Sequence, residues 1–111
     1  MSERMGKVAR CIRYFSRFSE NISRAETTLG IAPSKTLVVR MAIRDASREL
    51  TNLYINTCIE KALYDEIKEN LNRYLEKLRK GEEIDLDELS RDLRGDLLRV
   101  RENMILHLEF D

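Results

Sequence analysis

Tryptophan and glutamine are absent from this 111-residue sequence, and it holds one proline, four glycines, one histidine and two cysteines. So little proline and glycine leaves little loop-forming material. A single histidine and no C-x-x-C pair leave zinc sites and most nucleophilic chemistry without their parts. There is no glycine-rich phosphate loop, no G-x-S-x-G elbow and no His/Cys cluster. No run approaches the roughly 18 consecutive apolar residues that a membrane span needs. The opening MSERMGKVARCIRYFSRF lacks the apolar core and small-residue cleavage site of a secretory signal. These absences make cytoplasm the expected location, with no membrane, no cofactor, no metal and no small-molecule substrate evident.

What the chain does have is charge, 36% Asp, Glu, Lys and Arg at zero formal net charge, together with 42% hydrophobic residues. That is the composition of one folded domain rather than a disordered segment. Charge enrichment without glutamine is also a thermophile-like tendency. Cys11 and Cys58 each stand among apolar neighbours. Buried reduced thiols are the expected state, a disulfide or a metal site the alternative.

Periodicity sets the fold class. Val8, Cys11, Phe15, Phe18, Ile22, Ala25 and Leu29 recur at spacings of three and four, one stripe along a helix over residues 3–29. Gly30 is the expected C′ residue, and Ser34 after Pro33 the expected N-cap. Residues 34–80 contain neither glycine nor proline, and read as one helix. One face carries Val39, Ile43, Ala46, Leu50 and Leu53, and a rotated face Tyr64, Ile67, Leu71, Tyr74 and Leu78. The weak helix formers of LTNLYINT (50–57) allow a kink or break near Asn52 to Asn56. Gly81 ends the segment, and Ile84, Asp85, Glu88 and Leu89 form a capping box and staple that start a helix over 85–109. Its stripe is Leu86, Leu89, Leu93, Leu97, Val100, Met104 and Leu108.

The expectation is an all-α domain over 1–111, three long antiparallel helices, with a kink or break in the central one as the alternative. Between the two central faces, Ile55, Ile59 and Ala62 point the other way, so that segment is apolar nearly all round and is expected to be covered on every side. Two shorter helices cannot cover a central one of that length. A homodimer with Ile55, Ile59 and Ala62 at the partner interface is therefore expected, joined by coiled-coil-like packing. Broken in the middle, the same chain closes a monomeric four-helix bundle.

Net zero conceals a polarity. Residues 1–50 hold ten basic and five acidic side chains, and residues 51–111 ten and fifteen. Arg10, Arg13, Arg17 and Arg24 share a face of the first helix, and Arg40, Arg44 and Arg48 repeat at four-residue steps in the second. Such faces can neutralise nucleic-acid phosphates with release of counterions. They can equally pair with the acidic half or simply face solvent.

Arg101 and His107, separated by five residues, resemble the Arg-x(4–6)-His motif of HEPN-type ribonucleases. That family is all-α and dimerises to bring two such pairs together. The resemblance implies RNA cleavage with His107 as general acid or base and Arg101 stabilising the phosphate charge. A histidine in a helix's last turn has a simpler use, as a cation at the negative end of the dipole. Asp65, Glu66 and Glu69 in DEIKE resemble half of the magnesium motif of all-α nucleotide pyrophosphohydrolases, or else serve as salt-bridge partners of Lys61 and Lys68. Together the features point to a non-enzymatic helical interaction protein, an adaptor, scaffold or accessory subunit with a protein partner. A nucleic-acid-associated helical protein and a HEPN-like ribonuclease are the alternatives.

Overall fold

Two cysteines 47 residues apart in sequence meet inside the fold: Cys11 and Cys58 form a disulfide, with 5.7 Å between their Cα atoms. The computed structural model describes residues 3–110, and both sulfurs belong to fully buried residues. The expected reduced thiols are thereby corrected. Apolar surroundings do bury both cysteines, but on facing elements, close enough to bond.

Among the described residues there are four helices and no strand: α1 (Glu3–Ile31), α2 (Thr36–Ile55), α3 (Lys61–Arg79) and α4 (Leu86–Phe110). The all-α expectation holds; the single helix over 34–80 does not. α2 ends in a Schellman motif. The Cys58 N–H donates to the Leu53 carbonyl at 2.8 Å and the Thr57 N–H to the Tyr54 carbonyl at 3.0 Å. Thr57, with φ 57°, takes the left-handed position that glycine or asparagine usually fills. The connector is then held in place from several directions. Cys58 is bonded to α1, Ile59 is buried in the core, and the Glu60 N–H donates to Asn103 Oδ1 of α4 at 2.9 Å.

The other two connectors differ in how well their residue types foretold them. Gly30 lies inside α1 and is not its C′ residue, and a methyl group there would sit 3.4 Å from Leu86 Cδ2 at the start of α4. Ser34 does not cap α2. The Lys35 N–H donates to the Ala32 carbonyl at 2.9 Å, which places Pro33 and Ser34 at the two central positions of a turn. Lys35 is the N-cap, without a side-chain bond. Gly81, with φ 74°, closes α3: the Glu82 N–H reaches the Lys77 carbonyl and the Gly81 N–H the Leu78 carbonyl. Asp85 Oδ1 accepts from the Asp87 N–H at 2.8 Å and the Glu88 N–H at 3.3 Å, capping α4 as its sequence indicates.

The helices run up-down-up-down. Arg24 of α1 meets Asp45 of α2, Thr51 of α2 meets Tyr64 of α3, Tyr74 of α3 meets Asp92 of α4, and Arg4 of α1 reaches the Leu108 carbonyl of α4. The predicted stripes converge on one core in which Phe18, Ile22, Ile43, Leu50, Ile67, Leu71, Tyr74, Leu89, Leu93 and Val100 are essentially sealed from water. Each such side chain contributes about 1.5–3 kcal/mol through burial. A chain that turns back at Thr57 covers its own apolar stripes, so the argument for a second copy from an uncovered central helix no longer applies.

Candidate functional site

The interface residues expected in the middle of the chain are not brought together. Ile59 is buried in the core, Ile55 at the end of α2 is 66% exposed, and Ala62 is exposed on α3. No common face contains all three.

Arg101 and His107 both lie on α4. Six residues of α-helix separate them by about 9 Å along the axis and about 120° around it. Arg101 is exposed beside Phe15, Ser19, Arg94, Leu97 and Leu98 in a depression between α1 and α4. His107 is half-buried, and its Nδ1 lies 3.0 Å from the Asn103 carbonyl oxygen. A carbonyl only accepts, so Nδ1 carries the proton and donates it to the last turns of the helix. The acids of DEIKE also diverge: Asp65 accepts from Lys61 at 3.1 Å, whereas Glu66 reaches across to Arg99 of α4. That bond holds the Glu66 carboxyl below its ordinary range. Among the described residues no group of His, Cys, Asp and Glu is placed to hold a metal ion.

The arginine faces are placed differently. Asp45 takes both Arg24, at 3.0 Å, and Arg48. The guanidinium groups of Arg10, Arg13, Arg17, Arg40 and Arg44 have no ion pair or hydrogen bond with any described residue. Glu20 stands on the same side of α1 but is paired with none of them.

Arg44 also lines a groove. One depression of about 490 Å³ between α2 and α3 is bordered by Arg44, Ser47, Arg48, Thr51, Lys68 and Leu75. A second, of about 330 Å³, is bordered by Arg40, Arg44, Asn72, Leu75, Glu76 and Arg79. They share Arg44 and Leu75 and so adjoin end to end along the α2–α3 seam, as a shallow channel in two parts. Lys68 is set by a 3.1 Å bond from Nζ to Thr51 Oγ1 and by its place over the Tyr64 ring, 5.9 Å from the centroid. Lys68, Asn72, Leu75 and Arg79 make a stripe on α3 at helical spacing, which the acidic balance of the chain's second half conceals when only totals are counted.

Opposite this groove, α3 and α4 are joined by polar side chains. Tyr74 donates from its hydroxyl to Asp92 Oδ2 at 2.5 Å; burial first, and then that bond, push the phenol upward. Asp96 is 4% exposed, between Asn70 Nδ2 at 3.4 Å and Arg99 Nη1 at 3.8 Å. Loss of solvent raises its carboxyl from the usual 3.8 to about 6. Asp92 and Glu66 add to the rise, while Asn70 and Arg99 oppose it.

A last feature is apolar. Ile12 of α1 and Leu98, Ile105 and Leu106 of α4 are 40–53% exposed along the outer α1–α4 side. The sequence matches no protein-family model, and no curated protein and no solved structure matches it.

Proposed function

We propose that the protein is a non-enzymatic helical interaction module that acts as a homodimer and offers its remaining faces to a protein partner. The observation that carries this reading is the exposed apolar row of Ile12, Leu98, Ile105 and Leu106 on α1 and α4. Where exposed apolar side chains of this size adjoin, they mark an interaction site. The charges around it suit a second copy. If two α4 helices cross antiparallel at Leu98, Arg94 of one copy lies opposite Glu102 of the other, and the long Arg101 side chain lies over Gly95. A Cβ at Gly95 would meet nothing within 4 Å. Asp87 and Glu109, about 16 Å from the crossing point, diverge from their counterparts as inclined helices separate. A cytoplasmic dimer with a bonded Cys11–Cys58 pair belongs in a cell whose intracellular proteins keep disulfides, as in hyperthermophiles, and the glutamine-free, charge-rich composition agrees with that.

Sedimentation velocity over a range of concentrations tests the reading. Leu98→Glu is expected to convert a dimer into a folded monomer, because it sets two carboxylates against each other at the crossing. A parent protein that sediments as a monomer at every concentration overturns it.

A second reading, contact with a nucleic acid through α1 and α2, is favoured by one observation: five of the eight arginines on those helices have no side-chain partner among the described residues. A guanidinium left in water keeps its full capacity to displace counterions from phosphate.

A further inference from the structure

We infer that the channel between α2 and α3 is a binding site for the phosphodiester backbone of a single-stranded nucleic acid. This rests on the second reading above, but it assigns the contact to a defined groove and brings in α3, whose residues balance composition alone would not single out. Five cations, Arg40, Arg44, Arg48, Lys68 and Arg79, border the channel against one carboxylate, Glu76. They are arranged in order. Arg40, Arg44 and Arg48 step along α2 by about 6 Å each, and the channel from Arg40 to Thr51 runs about 16 Å. An extended sugar-phosphate chain can present successive phosphates to such a row.

The cations differ in availability. Arg44, common to the two depressions, and Arg40, beside the second, have no side-chain partner among the described residues. Arg48 and Arg79 are each held by a carboxylate, Asp45 and Glu76, and stand at the rim. Lys68 is positioned from below by the Thr51 hydroxyl, which also bonds the Tyr64 hydroxyl at 3.0 Å. The ammonium therefore has two further protons to offer. Ser47 and Thr51 add hydroxyls to the lining, and Asn72 an amide.

The same geometry limits what is read. Tyr64 is the aromatic ring next to the channel, but Tyr54 stacks on it at 4.6 Å with an interplanar angle of 11°, and Lys68 stands over it. A base has no open face of Tyr64 to stack on, so recognition is of phosphate and independent of sequence. The recess lies between two neighbouring helices, whose axes typically stand about 8–10 Å apart. A single strand can lie along such a groove, whereas a duplex would rest on the rim arginines.

The test is fluorescence anisotropy with a labelled mixed-sequence RNA of about 12 nucleotides, within the usual site size of single-strand binders, titrated at about 50 and 200 mM salt. Arg40→Glu with Arg44→Glu is expected to weaken binding at least about tenfold and to lower the salt slope by about 1.4, the value for two single-strand phosphate contacts. Neither residue has a described partner, so folding, checked by far-ultraviolet circular dichroism and a melting curve, is not at stake. Arg44→Glu with Lys68→Glu is expected to do the same, and Arg13→Glu with Arg17→Glu to stay within about twofold of the parent. If only the α1 variant loses binding, the groove is overturned and the second reading stands. If the parent binds no RNA at low salt, both fall. Preference for the matching duplex, or equal binding to vesicles containing anionic phospholipid with the same dependence on Arg44, also overturns the assignment.

Discussion

On the α3–α4 side of the bundle nearly every basic side chain has a carboxylate: Arg73 with Asp92, Lys77 with Glu88, Arg79 with Glu76, and Arg99 with Glu66 and Asp96. On the α1–α2 side, five arginines have none. The contrast follows from how each helix pair is joined. The α1–α2 backbones approach closely along their length, with Ala25, Ala42 and Ala46 buried between the larger side chains and Cys11 bonded at one end. Small residues seal that seam, leaving the arginines to face outward. α3 and α4 stand farther apart and are bridged by long polar groups, including buried Asp96 and the Tyr74–Asp92 bond. In one half charge is structural, and in the other it is free to act on something else. Because exposed ion pairs each contribute only about 0–1 kcal/mol, stability rests on the core and on the few buried polar contacts.

The largest expected effect comes from removing the covalent link. A disulfide that closes a 47-residue loop restricts the unfolded chain by about 4 kcal/mol. Cys11→Ala with Cys58→Ala, or reduction of the parent, is expected to lower the melting temperature by about 20 °C. Hydrogen exchange sharpens the comparison: protection is expected to fall first in α3, whose connector loses its tie to α1, and last in α2. Equal loss in both would show that the two halves unfold as one unit.

Next in size is the buried acid of the second seam. Folded Asp96 holds its proton more tightly than unfolded Asp96, about 6 against 3.8. The associated stability is therefore complete below about pH 4 and is lost as pH rises through 6. Asp96→Asn keeps an oxygen for the Asn70 amide but cannot ionise. Its urea midpoint is expected to match the parent near pH 4 and to exceed it by the equivalent of about 2–3 kcal/mol at pH 8. A gain that is the same at both pH values would assign the effect to packing instead of ionisation.

How much of this was legible in the sequence varies by element. The apolar stripes, the Gly81 stop and the Asp85 start follow from residue type, because periodicity and those caps are local. The Cys11–Cys58 bond was not legible, since two lone cysteines carry no sign that their helices face each other. Arg40, Arg44 and Arg48 were visible as a row, but the groove needs Lys68 and Arg79 from a helix whose position depends on the break. Ile55, Ile59 and Ala62 misled for the same reason: a straight helix over 34–80 would put them on an outer face, and the turn at Thr57 places Ile59 in the core instead.

That turn also gives the smallest and most local prediction. Thr57 is β-branched and sits at φ 57°, where a Cβ costs roughly 1–2 kcal/mol in clashes with its own backbone. Glycine there would remove the clash but add unfolded-state entropy worth about 0.5–1 kcal/mol. Thr57→Gly is therefore expected to stabilise the protein by about 0.5–1 kcal/mol net, read as a rise of a few degrees in melting temperature. Among the described residues the Thr57 hydroxyl bonds only the neighbouring Asn56 carbonyl, at 2.7 Å, so little is lost with it. Thr57→Pro is the informative opposite, because the ring fixes φ near −65° and also removes the N–H that donates to the Tyr54 carbonyl. If Thr57→Pro is tolerated as well as Thr57→Gly, the left-handed turn does not hold α2 and α3 apart, and the boundary between the two halves must be set by Cys58 and Asn103 alone.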